Sequence, residues 1–188
     1  LRDHGAQRAY LHVEDAPLDE AEAIRRARAW PGLDGQDYAA RVSAPEPYVW
    51  NAEGRFRVTV YDFGVKRNIL RRLAAEGCRV EVTPAATPAA EVLARRPDGV
   101  FLSNGPADPA AVTYAQEAVR ELLAARVPLM GICLGHQLLG LACGARCERL
   151  PFGHHGCNHP VKNLLDGTVA ITSQNHNYAL GALPDCLE

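Results

Sequence analysis

The sequence predicts an α/β fold: an open, mostly parallel sheet with helices on both faces, followed by a C-terminal part rich in strand and loop. Three observations lead there. From residue 57 onward, short apolar runs alternate with helical periodicity over about ten residues, the rhythm of βαβ crossovers. After Gly144 the helical periodicity stops and strand-like segments continue alone. The length, 188 residues, suits one sizeable core with an added arm better than two full domains.

The elements follow in order. Residues 1–50 are charged and Ala-rich, with a helix over about 18–30 that starts after Asp15-Ala16-Pro17 and stops at Pro31-Gly32. Pro45, Pro47 and Asn51 read as a linker. Strands are expected at 57–62, 79–83, 99–103 and 127–132, and helices at 66–76, 88–96, 113–125 and 135–143, the last closed by Gly144. The Ala-rich stretch 85–90 reads as a loop leading into a helix. Asp166-Gly167, between Val161, Leu164, Leu165 and the run 168–172, is a hairpin signal.

Composition narrows the function classes. Twenty Lys plus Arg against 22 Asp plus Glu give a net charge of -2, without the basic excess a phosphate backbone would demand, so no nucleic-acid partner is expected. Hydrophobic residues make up 47% and charged ones 22%, too apolar a mix for a disordered chain. No apolar run approaches the ~20 residues of a membrane span, and the first residues are too polar for a signal peptide. An intracellular, cytoplasmic protein without a membrane partner is expected, with Cys78, Cys133, Cys143, Cys147, Cys157 and Cys186 reduced. The start at Leu1 and the absence of a closing element before Glu188 read as truncation at both ends.

The most informative stretch is Val127-Pro-Leu-Met-Gly-Ile-Cys-Leu-Gly-His-Gln-Leu-Leu-Gly. It sets Cys133 in Gly131-Ile132-Cys133-Leu134-Gly135, a G-x-C-x-G analogue of the nucleophile elbow, where small residues let a strand turn sharply into a helix. The alternative, a small buried cysteine, does not account for glycines at both -2 and +2. At a helix N-terminus the macrodipole favours the thiolate, so a lowered pKa is expected for Cys133. Attack on a carbonyl needs donors for the oxyanion. The Leu134 N–H supplies one, and Gly105, in the turn Asn104-Gly105-Pro106-Ala107-Asp108-Pro109 after a strand, could supply a second.

Asn-Gly-Pro-x-Asp-Pro, then Gly-Ile-Cys-Leu-Gly-His-Gln, then Phe-Gly-His-His-Gly-x-Asn-His-Pro-Val-Lys and Ile-Thr-x-Gln-Asn-His together resemble the class I, or triad-type, glutamine amidotransferases. Tyr61-Asp62-Phe63-Gly64-Val65-Lys66-Arg67-Asn68 and the His-rich stretch 152–162 are similar to the small, glutamine-hydrolysing subunits of carbamoyl-phosphate synthases. The resemblance runs from Arg57 to about Leu183. It implies residues 57–188 as an amidotransferase domain, incomplete at its C-terminus, and residues 1–50 as an arm joining it to an N-terminal domain.

The resemblance implies thiol attack on the side-chain amide of L-glutamine, a glutamyl thioester, and release of ammonia to a large partner subunit. Cys133 takes the catalytic position, and Gly105 and Leu134 the oxyanion hole. Gly105, Ala107, Leu134, Gln137, Asn175, Asn177 and Tyr178 fall at substrate-binding positions. Three residues depart from the family pattern. Ala107 and Asn177 stand where it has glycine, and Tyr178 replaces a common Phe. Asn tolerates a left-handed backbone, so Asn177 is the milder glycine replacement. The family's base is a His in a His-x-Glu pair beyond Gln-Asn-His, and the chain ends before one occurs. Its only His-x-Glu is His12-Val13-Glu14, which reads as surface; His136 reads as structural.

Asp62-Phe63-Gly64 mimics the kinase metal-binding tripeptide without a His-Arg-Asp loop, and reads instead as a strand end with Asp62 capping the next helix. Neither phosphate-binding glycine motif occurs, so no cofactor is expected in this chain, and the resemblance puts ATP and magnesium on the large subunit. His154, His155, Cys157 and His159 lie within six residues, too tight for a zinc frame, so no metal is expected and the loop is read as shaping the site or contacting the partner. Two other readings stay open: a non-catalytic docking module of the same fold, and an amidotransferase serving another synthase.

Overall fold

The computed structural model describes residues 5, 7–13, 15 and 17–184. Its first helix, α1 (Glu20–Ala29), begins where Asp19 accepts the Glu22 amide at 3.2 Å. It ends in arginines before Trp30 and Pro31 and buries none of its residues. Acidic first turn and basic last turn complement the helix dipole, so local sequence rather than packing sets its limits. A single turn, α2 (Ala39–Val42), follows.

The stretch expected as a linker contains a strand, β1 (Tyr48–Asn51), paired antiparallel with a later strand at the sheet edge. Tyr-Val-Trp is a strand-prone run, and an edge position tolerates the prolines that precede it. Two bonds hold the entry: the Ala44 amide donates to Asp62 Oδ2 at 3.0 Å, and the Ala85 amide donates to Ser43 Oγ at 2.8 Å.

From there the alternation predicted from sequence is realised as β2 (Phe56–Asp62), α3 (Arg67–Ala75), β3 (Cys78–Pro84), α4 (Ala89–Ala94), β4 (Gly99–Leu102), α5 (Thr113–Ala124), β5 (Leu129–Gly131) and α6 (Leu134–Ala142). The sheet order is β1-β3-β2-β4-β5, and β2 to β5 run parallel. β5 is shorter than expected because Pro128, before it, has no amide to donate to the ladder.

Alternation along the strands separates two cores. Tyr61 of β2 and Phe63 just after it, with Val100 and Leu102 of β4, face α4, α5 and α6 and pack with Val92, Leu122, Leu134 and Leu138. Val60, Val80, Val82 and Phe101 face the other way and pack against Leu70 of α3. Helices therefore cover both faces, and the sheet is mostly parallel, as the sequence predicts. Consecutive crossovers from β2 go to β3 on one side and on to β4 on the other. The resulting switch point opens a crevice beyond the carboxyl ends of the central strands.

The C-terminal part is a long antiparallel hairpin, β6 (Cys147–Lys162) and β7 (Val169–Leu180). Its turn is built over residues 163–168, where the Thr168 amide donates to Asp166 Oδ1 at 2.8 Å and the Asn163 amide to the Thr168 carbonyl at 2.8 Å. The His-rich stretch read as a loop is part of β6. No disulfide joins the described cysteines; Cys186 lies outside the described residues. Among the described residues no helix is long and apolar enough to cross a membrane.

Candidate active site

β5 runs into Cys133, which turns the chain directly into α6. Its φ of 54° and ψ of -111° are conformations a side-chain-bearing residue rarely adopts, and the residue forms the N-cap of the helix. The flanking glycines have steric causes. A Cβ on Gly131 would lie 2.5 Å from the Gly135 carbonyl carbon, and one on Gly135 only 2.1 Å from the Leu102 carbonyl oxygen. The strand, the elbow and the helix are thus in backbone contact, and only hydrogen fits at both positions.

The second wall is the turn after β4. A Cβ on Gly105 would stand 2.0 Å from the Phe63 carbonyl oxygen, so the two loops touch backbone to backbone. Buried Ser103 accepts the Phe63 amide on Oγ at 2.9 Å. Asn104 ties the same loops twice, accepting the Lys66 amide at 2.9 Å and donating to the Gly64 carbonyl at 3.0 Å. Asn104, not Asp62, therefore takes the amide at the N-cap of α3. Asp62 Oδ1 accepts the Gly64 and Val65 amides at 2.9 and 2.8 Å and shapes the loop before the helix.

The backbone N–H groups of Leu134 and Gly105 act on the Cys133 thiol by favouring its ionised form. The thiol also donates toward the Asn175 carbonyl at 3.6 Å. Contrary to the lowered pKa expected from the helix terminus, burial pushes the Cys133 thiol up, and the two amides pull it only part of the way back. The physical reason is desolvation: the half-buried sulfur loses water, and no cationic side chain among the described residues acts on it to compensate.

β7 forms the third wall of a cleft of about 950 Å³. Gly105, Ala107, Cys133, Gln137, Asn175, Asn177 and Tyr178 all line it; Leu134 is buried beneath and offers its backbone. The Ala107 methyl is half-buried and packs partly against the larger core. Buried Gln137 donates from Nε2 to the Tyr178 carbonyl at 2.6 Å, clamping β7 to α6. The Asn175 and Asn177 side chains turn toward His155, whose ring nitrogens lie 2.9 and 3.2 Å from their Oδ1 atoms. His136 is exposed on α6. His12 is described but Glu14 is not, so that pair lies partly outside the described residues.

Sequence reading missed one contributor. The Tyr178 hydroxyl donates to Asp34 Oδ1 at 2.7 Å, 144 positions away, and Arg149 pairs with the same carboxylate. The bond from Tyr178 holds the Asp34 carboxyl below its usual range, and burial followed by that bond pushes the Tyr178 phenol up. Leu33-Asp34-Gly35 signals a turn, but nothing local says which strand it meets.

Comparison with known proteins agrees with this geometry. Residues 59–188 match the family "Glutamine amidotransferase class-I". The chain is 51% identical over 208 residues to the carbamoyl phosphate synthase small chain of Halomonas eurihalina, covering 100% of this chain and 54% of that protein. It is 53% identical over 194 residues to the carbamoyl phosphate synthase small chain of Ralstonia nicotianae, covering 96% and 50%. It therefore spans about half the length of these curated relatives. A solved glutamine amido transferase from Methylobacillus flagellatus shares the fold, with a TM-score of 0.52 and 21% identity over 70% of this chain and 58% of that one. A parallel sheet ending in a cysteine elbow at the N-terminus of a helix, and a match over residues 59–188, lead to one conclusion: the chain belongs to the class I glutamine amidotransferase family.

Proposed function

We propose that this chain is the glutamine-hydrolysing part of a carbamoyl-phosphate synthase small subunit. Glutamine enters the cleft, and its carboxamide carbon is attacked by the Cys133 sulfur as the thiol proton passes to a base. The base is the imidazole of a His-x-Glu pair that the family carries beyond Gln-Asn-His. The carbonyl oxygen becomes the oxyanion and is held by the Gly105 and Leu134 amides. Protonation of the nitrogen lets the C–N bond break, releasing ammonia and leaving a glutamyl thioester, which water hydrolyses to glutamate and free thiol.

Gln137, Asn175, Asn177 and Tyr178 hold the amino-acid end of glutamine, with Ala107 beside the substrate. Ammonia passes to a large subunit, which uses ATP and magnesium to make carbamoyl phosphate in the cytoplasm for the arginine and pyrimidine pathways. Identities of 51% and 53% to carbamoyl phosphate synthase small chains support this acceptor over another synthase. The observation that carries the chemistry is a cysteine held at φ 54° where a strand turns into a helix, lining one cleft with Gly105, Gln137 and Asn175.

The test uses the complete small chain with its large partner. Wild type releases ammonia from glutamine, and Cys133→Ser abolishes this while leaving carbamoyl phosphate synthesis from added ammonia intact. No release from the wild-type complex, or release that survives Cys133→Ser, overturns the proposal; the former outcome favours a docking module.

A further inference from the structure

Residues 33–36 are bonded to both walls of the cleft. Toward the hairpin, Asp34 accepts the Tyr178 hydroxyl at 2.7 Å and pairs with Arg149 of β6. Toward the oxyanion loop, the Gly35 amide donates to Asp108 Oδ2 at 2.8 Å, and the Asp108 amide donates to the Gln36 carbonyl at 3.1 Å. Asp108 closes the turn that carries Gly105, and its Oδ1 accepts the Ala110 amide at 3.0 Å, so that turn is fixed at both ends. Leu33 itself lines the cleft.

The hairpin has other holds on the body: the Gln137 bond to the Tyr178 carbonyl, the Cys133 contact with Asn175, and Leu180 packed against Gly140. All of these reach α6 or its N-cap. The strap at 33–36 is hydrogen-bonded both to the hairpin and to the Gly105 loop, and it closes on the hydroxyl by which Tyr178 departs from the expected Phe. We propose that Asp34 is a positioning residue for the glutamine subsite: through the Tyr178 hydroxyl it sets the distance between β7 and the Gly105 loop. This rests on the glutaminase reading above. A carboxylate accepting from a hydroxyl and an arginine makes charge-assisted bonds, stronger than neutral ones, so its loss lets the two walls separate. A wider cleft weakens ground-state binding of glutamine while the elbow keeps its geometry.

In the complete small chain with its large partner, Asp34→Ala is expected to raise the KM for glutamine about tenfold with kcat changed less than about threefold. Asp34→Asn keeps an acceptor oxygen for Tyr178 and is expected to lie between the two. In a Tyr178→Phe background Asp34→Ala adds little, since the hydroxyl it acts through is already gone. Amide hydrogen exchange provides a readout independent of activity: Asp34→Ala speeds exchange in residues 104–109 and 172–180 and leaves β2 and β3 unchanged. Unaltered exchange in those segments, a wild-type KM in Asp34→Ala, or full additivity with Tyr178→Phe overturns the proposal. A wild-type complex without glutaminase activity overturns the glutaminase reading instead, and exchange then decides the strap by itself. Should Asp34→Ala fail to fold, the same measurements on Asp34→Asn decide.

Discussion

The thiol of Cys133 lies 3.6 Å from the carbonyl oxygen of Asn175, so the elbow cysteine faces β7 across the cleft. That carbonyl accepts the thiol proton, while the Gly105 and Leu134 amides favour its loss and burial opposes it more strongly. The arrangement suits a thiol that stays protonated until a base arrives.

That state is measurable. Because burial raises the Cys133 pKa, less thiolate is present near neutral pH than for an unperturbed cysteine. In the 188-residue chain, iodoacetamide labelling of Cys133, followed by peptide mass spectrometry, is expected to keep rising as pH passes about 8.5. A plateau reached below that pH refutes the raised pKa.

Close backbone approach at the elbow predicts an asymmetry between glycines. Gly135→Ala drives a methyl into the Leu102 carbonyl and is expected to cost about 3 kcal/mol or more. Gly144→Ala meets no atom within 4 Å and pays only for its φ of 94°, about 1 kcal/mol. Urea unfolding of both variants gives the comparison, and equal costs contradict it.

Gln137→Leu removes the donor that joins α6 to β7 and buries the Tyr178 carbonyl with one partner fewer. A loss of about 1–2 kcal/mol is expected, with amide exchange in β7 faster by about tenfold. Unchanged exchange there assigns the hairpin's hold on the body to other contacts.

Core and hairpin leucines separate just as clearly. Leu70 is 0% exposed in the smaller core, and Leu70→Ala is expected to cost about 3 kcal/mol. Leu165 is 94% exposed at the hairpin turn, and Leu165→Ala is expected to change stability by less than about 0.5 kcal/mol. Thermal melts of the two variants check the ranking.

Local pattern determined much of this protein by itself. The elements from β2 to α6 follow from apolar runs and helical periodicity, and the elbow from glycines spaced around Cys133, because both are governed by interactions among near neighbours in the chain. Their ends were less legible: Pro128 cut β5 short, and the strand-prone run of β1 was masked by the prolines before it, its pairing with β3 being a long-range choice. The Cys133 pKa reversed its expected direction because burial is a property of packed surroundings that no heptapeptide contains. Likewise the cleft's third wall depends on Asp34 meeting Tyr178 and Gln137 meeting the Tyr178 carbonyl. Hydrogen bonds across 144 and 41 positions carry no local signature, since their partners are chosen by how sheet, helix and hairpin stack, and only the tertiary structure decides that.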